Sequence, residues 1–179
     1  MTRLIHLNGP PGIGKSTLAR MYADDHPGVL CCDIDVLRTL VGGWETRFAE
    51  TGGLIRPAAL AMITAYLTGG HDVVLPQLIA RPEELARFAA AAAAADAELV
   101  EVVVWDDEES SVARFNRRGA AGDSDTHDRV RALAADDDTL RGYHAVLDEL
   151  RQRPGVLVVD SLDGDVDATY TGLLEALDA

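Results

Sequence analysis

Cationic side chains are scarce in this chain. Lysine and arginine together number 16 against 30 aspartates and glutamates, a formal net charge of −14 with a pI near 4.6. A surface of that sign repels a phosphate backbone at long range, so broad, sequence-independent binding of nucleic acid is not expected. Cysteine is scarcer still, with only Cys31 and Cys32, neighbours in an apolar run. Adjacent cysteines rarely bridge each other and make no metal site without further Cys or His ligands, so buried free thiols are expected. The five histidines lack the H-x-x-x-H spacing of a metal site. Long hydrophobic runs are missing as well: none approaches the roughly 20 residues of a membrane span. The opening MTRLIHLNGPPG lacks the basic, apolar and small-residue zones of a secretory signal, which makes the cytoplasm the expected compartment.

What is present is an ordinary globular composition, 47% hydrophobic and 26% charged over 179 residues, and we expect a single domain, 1–179. Short apolar runs at 3–7, 29–32, 72–75, 99–105 and 156–159 read as strands. Helical patterns lie between them, at 14–25, 36–41, 57–67, from Pro82 through the alanine run Ala89 to Ala95, at 108–118, 127–135, 139–153 and 166–177. The segment WETRFAETGG has no clean period. Strands that alternate with helices and are apolar on both faces predict a parallel sheet covered on both sides, an α/β three-layer sandwich. In such a sheet ligands sit beyond the carboxyl ends of the strands.

At the end of the first strand stands GPPGIGKST, Gly9 to Thr17, which satisfies G-x-x-x-x-G-K-[ST] with the strand before it and the helix after it that this motif requires. The glycines Gly9, Gly12 and Gly14, with Pro11 and Ile13 between them, let main-chain N–H groups turn inward around an anion. The positive end of the following helix points at the same place. Lys15 is placed to reach the outer phosphates, Ser16 to offer its hydroxyl to Mg²⁺, and Thr17 completes the motif. A nucleoside triphosphate is the expected ligand. No Asn-Lys-x-Asp stretch reads guanine, and the third and fourth strands end in LPQ and VWD rather than in the acid pair of a motor-type ATPase.

On these residues the chain resembles the small P-loop kinases, the group that includes nucleoside monophosphate, shikimate and gluconate kinases, chloramphenicol phosphotransferase and 5′-hydroxyl polynucleotide kinases. The resemblance implies a five-stranded parallel sheet in the order 2-3-1-4-5, ATP and Mg²⁺ as cofactors, and γ-phosphoryl transfer to a hydroxyl. It places the acid that handles that hydroxyl just after the second strand, where LCCDIDVLR stands, and so implies Asp35 as the base. Arg38 lies one helical turn further on the same face, as in polynucleotide kinases. Capping of the helix at Val36 is the competing role for Asp35. Asp33 either assists the metal through water or only finishes the strand.

The resemblance further implies a lid. Within 114–131, Arg114, Arg117 and Arg118 precede a small-residue acidic loop, Arg129 and Arg131 follow it, and His127 lies beside it. Arg114 is expected on the adenine and Arg118 on the transferring phosphoryl group, with a dipole-favoured helix end as the alternative. The loop DSLDGD from Asp160 is expected on the adenine side. The acceptor is expected near Gln77, which is either a substrate contact or a turn residue, and the irregular segment 42–56, where Trp44 forms a stacking wall or a packing anchor, and Arg47 and Arg56 stand near an anionic group. A nucleoside, sugar or antibiotic-like alcohol is the expected acceptor. A polynucleotide 5′-hydroxyl is the alternative within the enzyme class, and a nucleotide-binding regulatory module is the alternative outside it.

Overall fold

Apolar residues on both faces of short strands leave the chain one economical solution, a parallel sheet with a layer of helices on each side. The computed structural model describes residues 1–120 and 137–179, apart from the side chains of 49, 117–120 and 137. Five strands, β1 (Arg3–Asn8), β2 (Leu30–Cys31), β3 (Val73–Pro76), β4 (Glu98–Trp105) and β5 (Leu157–Asp160), pair in parallel in the order β2-β3-β1-β4-β5. That is the expected order of a three-layer α/β nucleotide-kinase sandwich. Strand alternation divides the core. Leu4, Val73 and Leu75 face one helical layer, α3 (Phe48–Thr68) and α4 (Pro82–Ala94), and bury Ala59, Ile63, Leu67 and Phe88. Ile5, Leu7, Val74, Val102 and Val104 face the other, α1 (Lys15–Asp25) and the last helix, α7 (Val166–Asp178), which supply Leu18, Tyr22 and Leu173. Among the described residues no helix is long and apolar enough to cross a membrane.

Two further helices, α5 (Glu108–Ala120) and α6 (Asp137–Arg151), stand beyond the end of β4, and Phe115 and Leu140 form a small separate cluster between them. The ring of Trp105 at the end of β4 lies 4.2 Å from that of His144, and Arg151 covers the same indole. The expected helix at 127–135 falls outside the described residues.

The segment 42–56 is the clearest departure from expectation. Only 42–47 is irregular, and α3 already begins at Phe48, running through Gly52, Gly53 and Pro57. Proline in a helix interior costs on the order of 3 kcal/mol and glycine about 1 kcal/mol against alanine, which is why these residues read as breakers. Tertiary packing overrides them here: Phe48 is buried, and Ala59, Ile63 and Leu67 seat the rest of the helix on the sheet. A short helix expected from Val36 begins earlier, as α2 (Ile34–Arg38).

Candidate active site

The P-loop turns through left-handed backbone at Gly12 (φ 80°) and Gly14 (φ 108°), conformations that glycine tolerates and side chains resist. Gly9 is required for a second reason, since a side chain there would meet the Val104 carbonyl oxygen at 2.7 Å. A side chain at Gly14 would point into open space, and no side chain caps α1, whose first turn carries no acid. The N–H groups of that helix start have no intrahelical partners, so they and the helix dipole are available to an anion. Lys15, the only lysine in the sequence, curls back over the loop and donates from Nζ to the carbonyls of Gly9 (2.8 Å) and Pro10 (2.9 Å). Burial lowers its pKa to about 8, and Asp35 and then Asp33 oppose that shift. A desolvated ammonium bonded only to neutral carbonyls, beside an uncapped helix start, fits a polyphosphate. Ser16 lies in the first turn of α1. Among the described residues no group of three or more His, Cys, Asp or Glu could hold a metal ion.

The two aspartates after β2 divide their work. Asp33, not Asp35, is the N-cap of α2: its Oδ1 accepts the N–H groups of Asp35 (3.0 Å) and Val36 (3.3 Å). Asp35 therefore keeps its carboxylate off the backbone. It pairs with Arg38 Nη2 at 3.2 Å, is 30% exposed at the side chain, and shares its electrostatic surroundings with Lys15 and Arg56. Burial raises its pKa above the ordinary aspartate value, against the pull of Arg38.

Arg38 is itself buried. Its guanidinium lies 3.8 Å over the centre of the Phe48 ring and fills the space beside Gly52, where a side chain would come within 2.6 Å of Nη2. Arg56, on α3, reaches Glu84 in the first turn of α4 at 3.5 Å. That pair ties α3 to α4. Gln77 is buried directly after β3. Trp44 sits half-buried in the 42–47 turn, and Arg47 is exposed and pairs with Glu50. The structure thus brings Lys15, Asp35, Arg38 and Arg56 into one cluster and turns Arg47 away to the surface.

On the opposite side, Arg114 is an anchor. It is buried and donates to Ser161 Oγ (2.6 Å) and to Asp106 (2.7 Å), with Asp163 at 3.4 Å. Ser161 Oγ in turn donates to the Ile13 carbonyl at 3.3 Å. The expected stacking arginine touches the expected adenine-side loop, but as a tie between α5, that loop and the P-loop. Phe115 packs on Gly12 from the same helix. The backbone of α5 runs through Arg117 and Arg118, whose side chains lie outside the described residues, as do His127, Arg129 and Arg131.

Comparison with known proteins agrees with this arrangement. The AAA domain family matches residues 4–143, a stretch that holds the P-loop, α2 and all of α5. The chain belongs to that family. Its fold is that of the small P-loop kinases. A gluconokinase of Sinorhizobium meliloti 1021 superposes with a TM-score of 0.60 at 18% identity, over 98% of this chain and 93% of the other. A candidate kinase of Chloroflexus aurantiacus J-10-fl gives 0.69 at 17%, over 99% and 95%. The tunicamycin resistance protein of Deinococcus radiodurans gives 0.58 at 16%, also over 99% and 95%. No curated protein sequence matches.

Sequence reasoning missed the polar residues that hold this family's phosphate loop in place here. His6 and Asn8 share the Leu4 face of β1. His6 Nε2 donates to the Gln77 carbonyl at 2.8 Å. Asn8 accepts the N–H groups of Gly9 (2.9 Å) and Ile79 (3.1 Å) and donates to the Ile79 carbonyl (2.9 Å). The signal was available: two polar residues at i and i+2 in an otherwise apolar strand point to one face and need partners there. Ser161 left no such trace.

Proposed function

We propose that this protein is an ATP- and Mg²⁺-dependent kinase that moves the γ-phosphoryl group to a hydroxyl of a small molecule. One observation carries the proposal: Asp33 takes the capping of α2, so Asp35 keeps its carboxylate off the backbone, paired with Arg38 and in the field of Lys15. In phosphoryl transfer the protein has mainly to position the reactants and neutralise charge, with one carboxylate on the nucleophile. In this reading the P-loop amides and Lys15 grip the phosphates, and Ser16 holds the metal, which supplies further neutralisation at phosphate oxygens. Asp35 accepts the proton of the attacking hydroxyl as the new O–P bond forms and the bond to the β-γ bridging oxygen breaks, leaving ADP. Its raised pKa makes it a better proton acceptor than an ordinary aspartate. Arg118 is proposed as the cation on the transferring group. The Asp35–Arg38 pair supports a second reading, a polynucleotide 5′-hydroxyl kinase, against which the net charge of −14 weighs.

The test is Asp35→Asn. ATP affinity is expected to stay within about twofold of the parent, while transfer from γ-labelled ATP to an acceptor falls by about 10² or more. Full transfer by the variant would overturn the assignment. Partner binding that follows nucleotide state and survives the substitution would point to a regulatory module instead.

A further inference from the structure

Arg114 is 5% exposed, too little to lay its guanidinium on a nucleobase, and its donors are spent inside the protein. Nη1 donates to Ser161 Oγ at 2.6 Å, and Nη2 donates to Asp106 at 2.7 Å and to the Ser161 carbonyl at 3.5 Å. Asp106 is fixed in turn from α6, whose His144 Nε2 donates to its carbonyl at 2.9 Å. Ser161 is fixed from β4, since its N–H donates to the Trp105 carbonyl at 2.6 Å. A hydroxyl has one proton to give. With Arg114 donating to the oxygen of Ser161, that proton is left for an acceptor, and the Ile13 carbonyl stands at 3.3 Å.

The Ile13 carbonyl matters through the peptide to which it belongs. A trans peptide is planar, with C=O and N–H pointing in opposite directions, so whatever holds the Ile13 oxygen also aims the Gly14 N–H. Glycine by itself would leave that aim loose: Gly14 sits at φ 108°, in a region where only glycine moves freely. The residue before Ile13 is held from the same side, because Phe115, next to Arg114 on α5, packs on Gly12. Two successive residues of the loop are therefore governed from α5, one by packing and one through Ser161.

We infer that Ser161 and Arg114 are positioning residues for phosphate binding: Arg114 directs the Ser161 hydroxyl to the Ile13 carbonyl, and that bond turns the Gly14 N–H toward the polyphosphate. This rests on the phosphate-loop part of the reading above and not on phosphoryl transfer. It replaces the expected stacking of Arg114 on adenine, since an effect exerted through the loop reaches the phosphates whatever base follows them.

Titration calorimetry with two probes, ATP and inorganic tripolyphosphate, each with Mg²⁺, separates the roles, because tripolyphosphate has no base. Ser161→Ala should weaken both probes by the same factor, about fivefold, the scale of one hydrogen bond. Ser161→Thr, which keeps the hydroxyl, should recover most of that loss. Arg114→Met should weaken both probes as well, and in the Ser161→Ala background it should add at most about twofold, as residues acting in series do. In ¹⁵N-labelled protein the Gly14 amide should shift on addition of tripolyphosphate, and should shift less in Ser161→Ala. Affinities are read well below the thermal midpoint of each variant, so a residue that serves stability alone moves the midpoint and leaves both affinities unchanged. That result for Ser161→Ala overturns the inference. Loss of ATP affinity in Arg114→Met with tripolyphosphate untouched overturns it in favour of base stacking. Should Lys15→Met bind both probes as the parent does, the phosphate loop is not the triphosphate site, and the inference falls with that reading. Where Arg114→Met no longer unfolds cooperatively, Ser161→Ala and its threonine counterpart decide alone.

Discussion

At the scale of single residues, burial changes the protonation of two side chains, Lys15 and Asp35. Lys15 is cationic below about pH 8 and loses its charge above it, so its grip on phosphate weakens as pH rises through that value. The kcat/KM for ATP, which reports the free enzyme, should therefore fall on an alkaline limb near pH 8 instead of holding toward pH 10. Because Lys15 is the only lysine, an amine-directed acylating reagent at pH 8 should leave a single lysine adduct in the mass spectrum, and ATP should suppress it. Labelling that is indifferent to ATP would count against the P-loop as the nucleotide site. The neighbouring aspartates give a contrasting pair. Asp33→Ala removes an N-cap and should cost about 1 kcal/mol of stability by urea unfolding, whereas Asp35→Asn leaves the backbone bonds of α2 intact. Nothing in LCCDIDVLR tells these acids apart. Their spacing allows either to cap, and only the start of α2 at Ile34 assigns the cap to Asp33.

At the scale of elements, β3 and the Val102 to Val104 part of β4 were legible because they are buried on both faces and a short apolar run has few other uses. The phosphate loop was legible because its geometry demands glycine at fixed places. Helix α3 was not, since Gly52, Gly53 and Pro57 oppose it locally and its support comes from residues brought near only by the fold, namely Leu4, Ile34 and Leu75. The same helix shows why Gly52 is needed, and this can be tested. Alanine there suits a helix better than glycine by about 1 kcal/mol. Its methyl group, however, would lie within 2.6 Å of Arg38 Nη2, the movable end of a long side chain. Gly52→Ala should thus leave the thermal midpoint unchanged or slightly raised, while KM for the acceptor rises about tenfold and KM for ATP does not change. Unaltered acceptor kinetics would show that the position of Arg38 does not matter to the site.

For the molecule as a whole, the phosphate loop is held from two sides by buried polar contacts that pattern reading cannot pair, because their partners lie far away in sequence. Ser161 and Arg114 tie it to β5 and α5, and His6 and Asn8 tie β1 to the chain after β3. His6 carries a consequence for the stability of the entire fold. Burial lowers its pKa to about 4, beyond what its bond to the Gln77 carbonyl restores, with Lys15 adding repulsion. The unfolded chain, with an ordinary histidine near 6.5, binds a proton first as pH falls, so stability declines through the window from about 6.5 to about 4. Between pH 7.5 and 5 that single group should remove about 2 kcal/mol. Histidine 6 replaced by glutamine, His6→Gln, keeps a donor for the Gln77 carbonyl but cannot titrate. The variant should begin less stable at pH 7.5 in urea and then lose about 2 kcal/mol less than the parent on going to pH 5, with contributions from all other groups cancelling in the difference. Parallel losses in the two proteins would mean that His6 takes up its proton in the folded state and that the clip between β1 and the β3 loop yields to admit it.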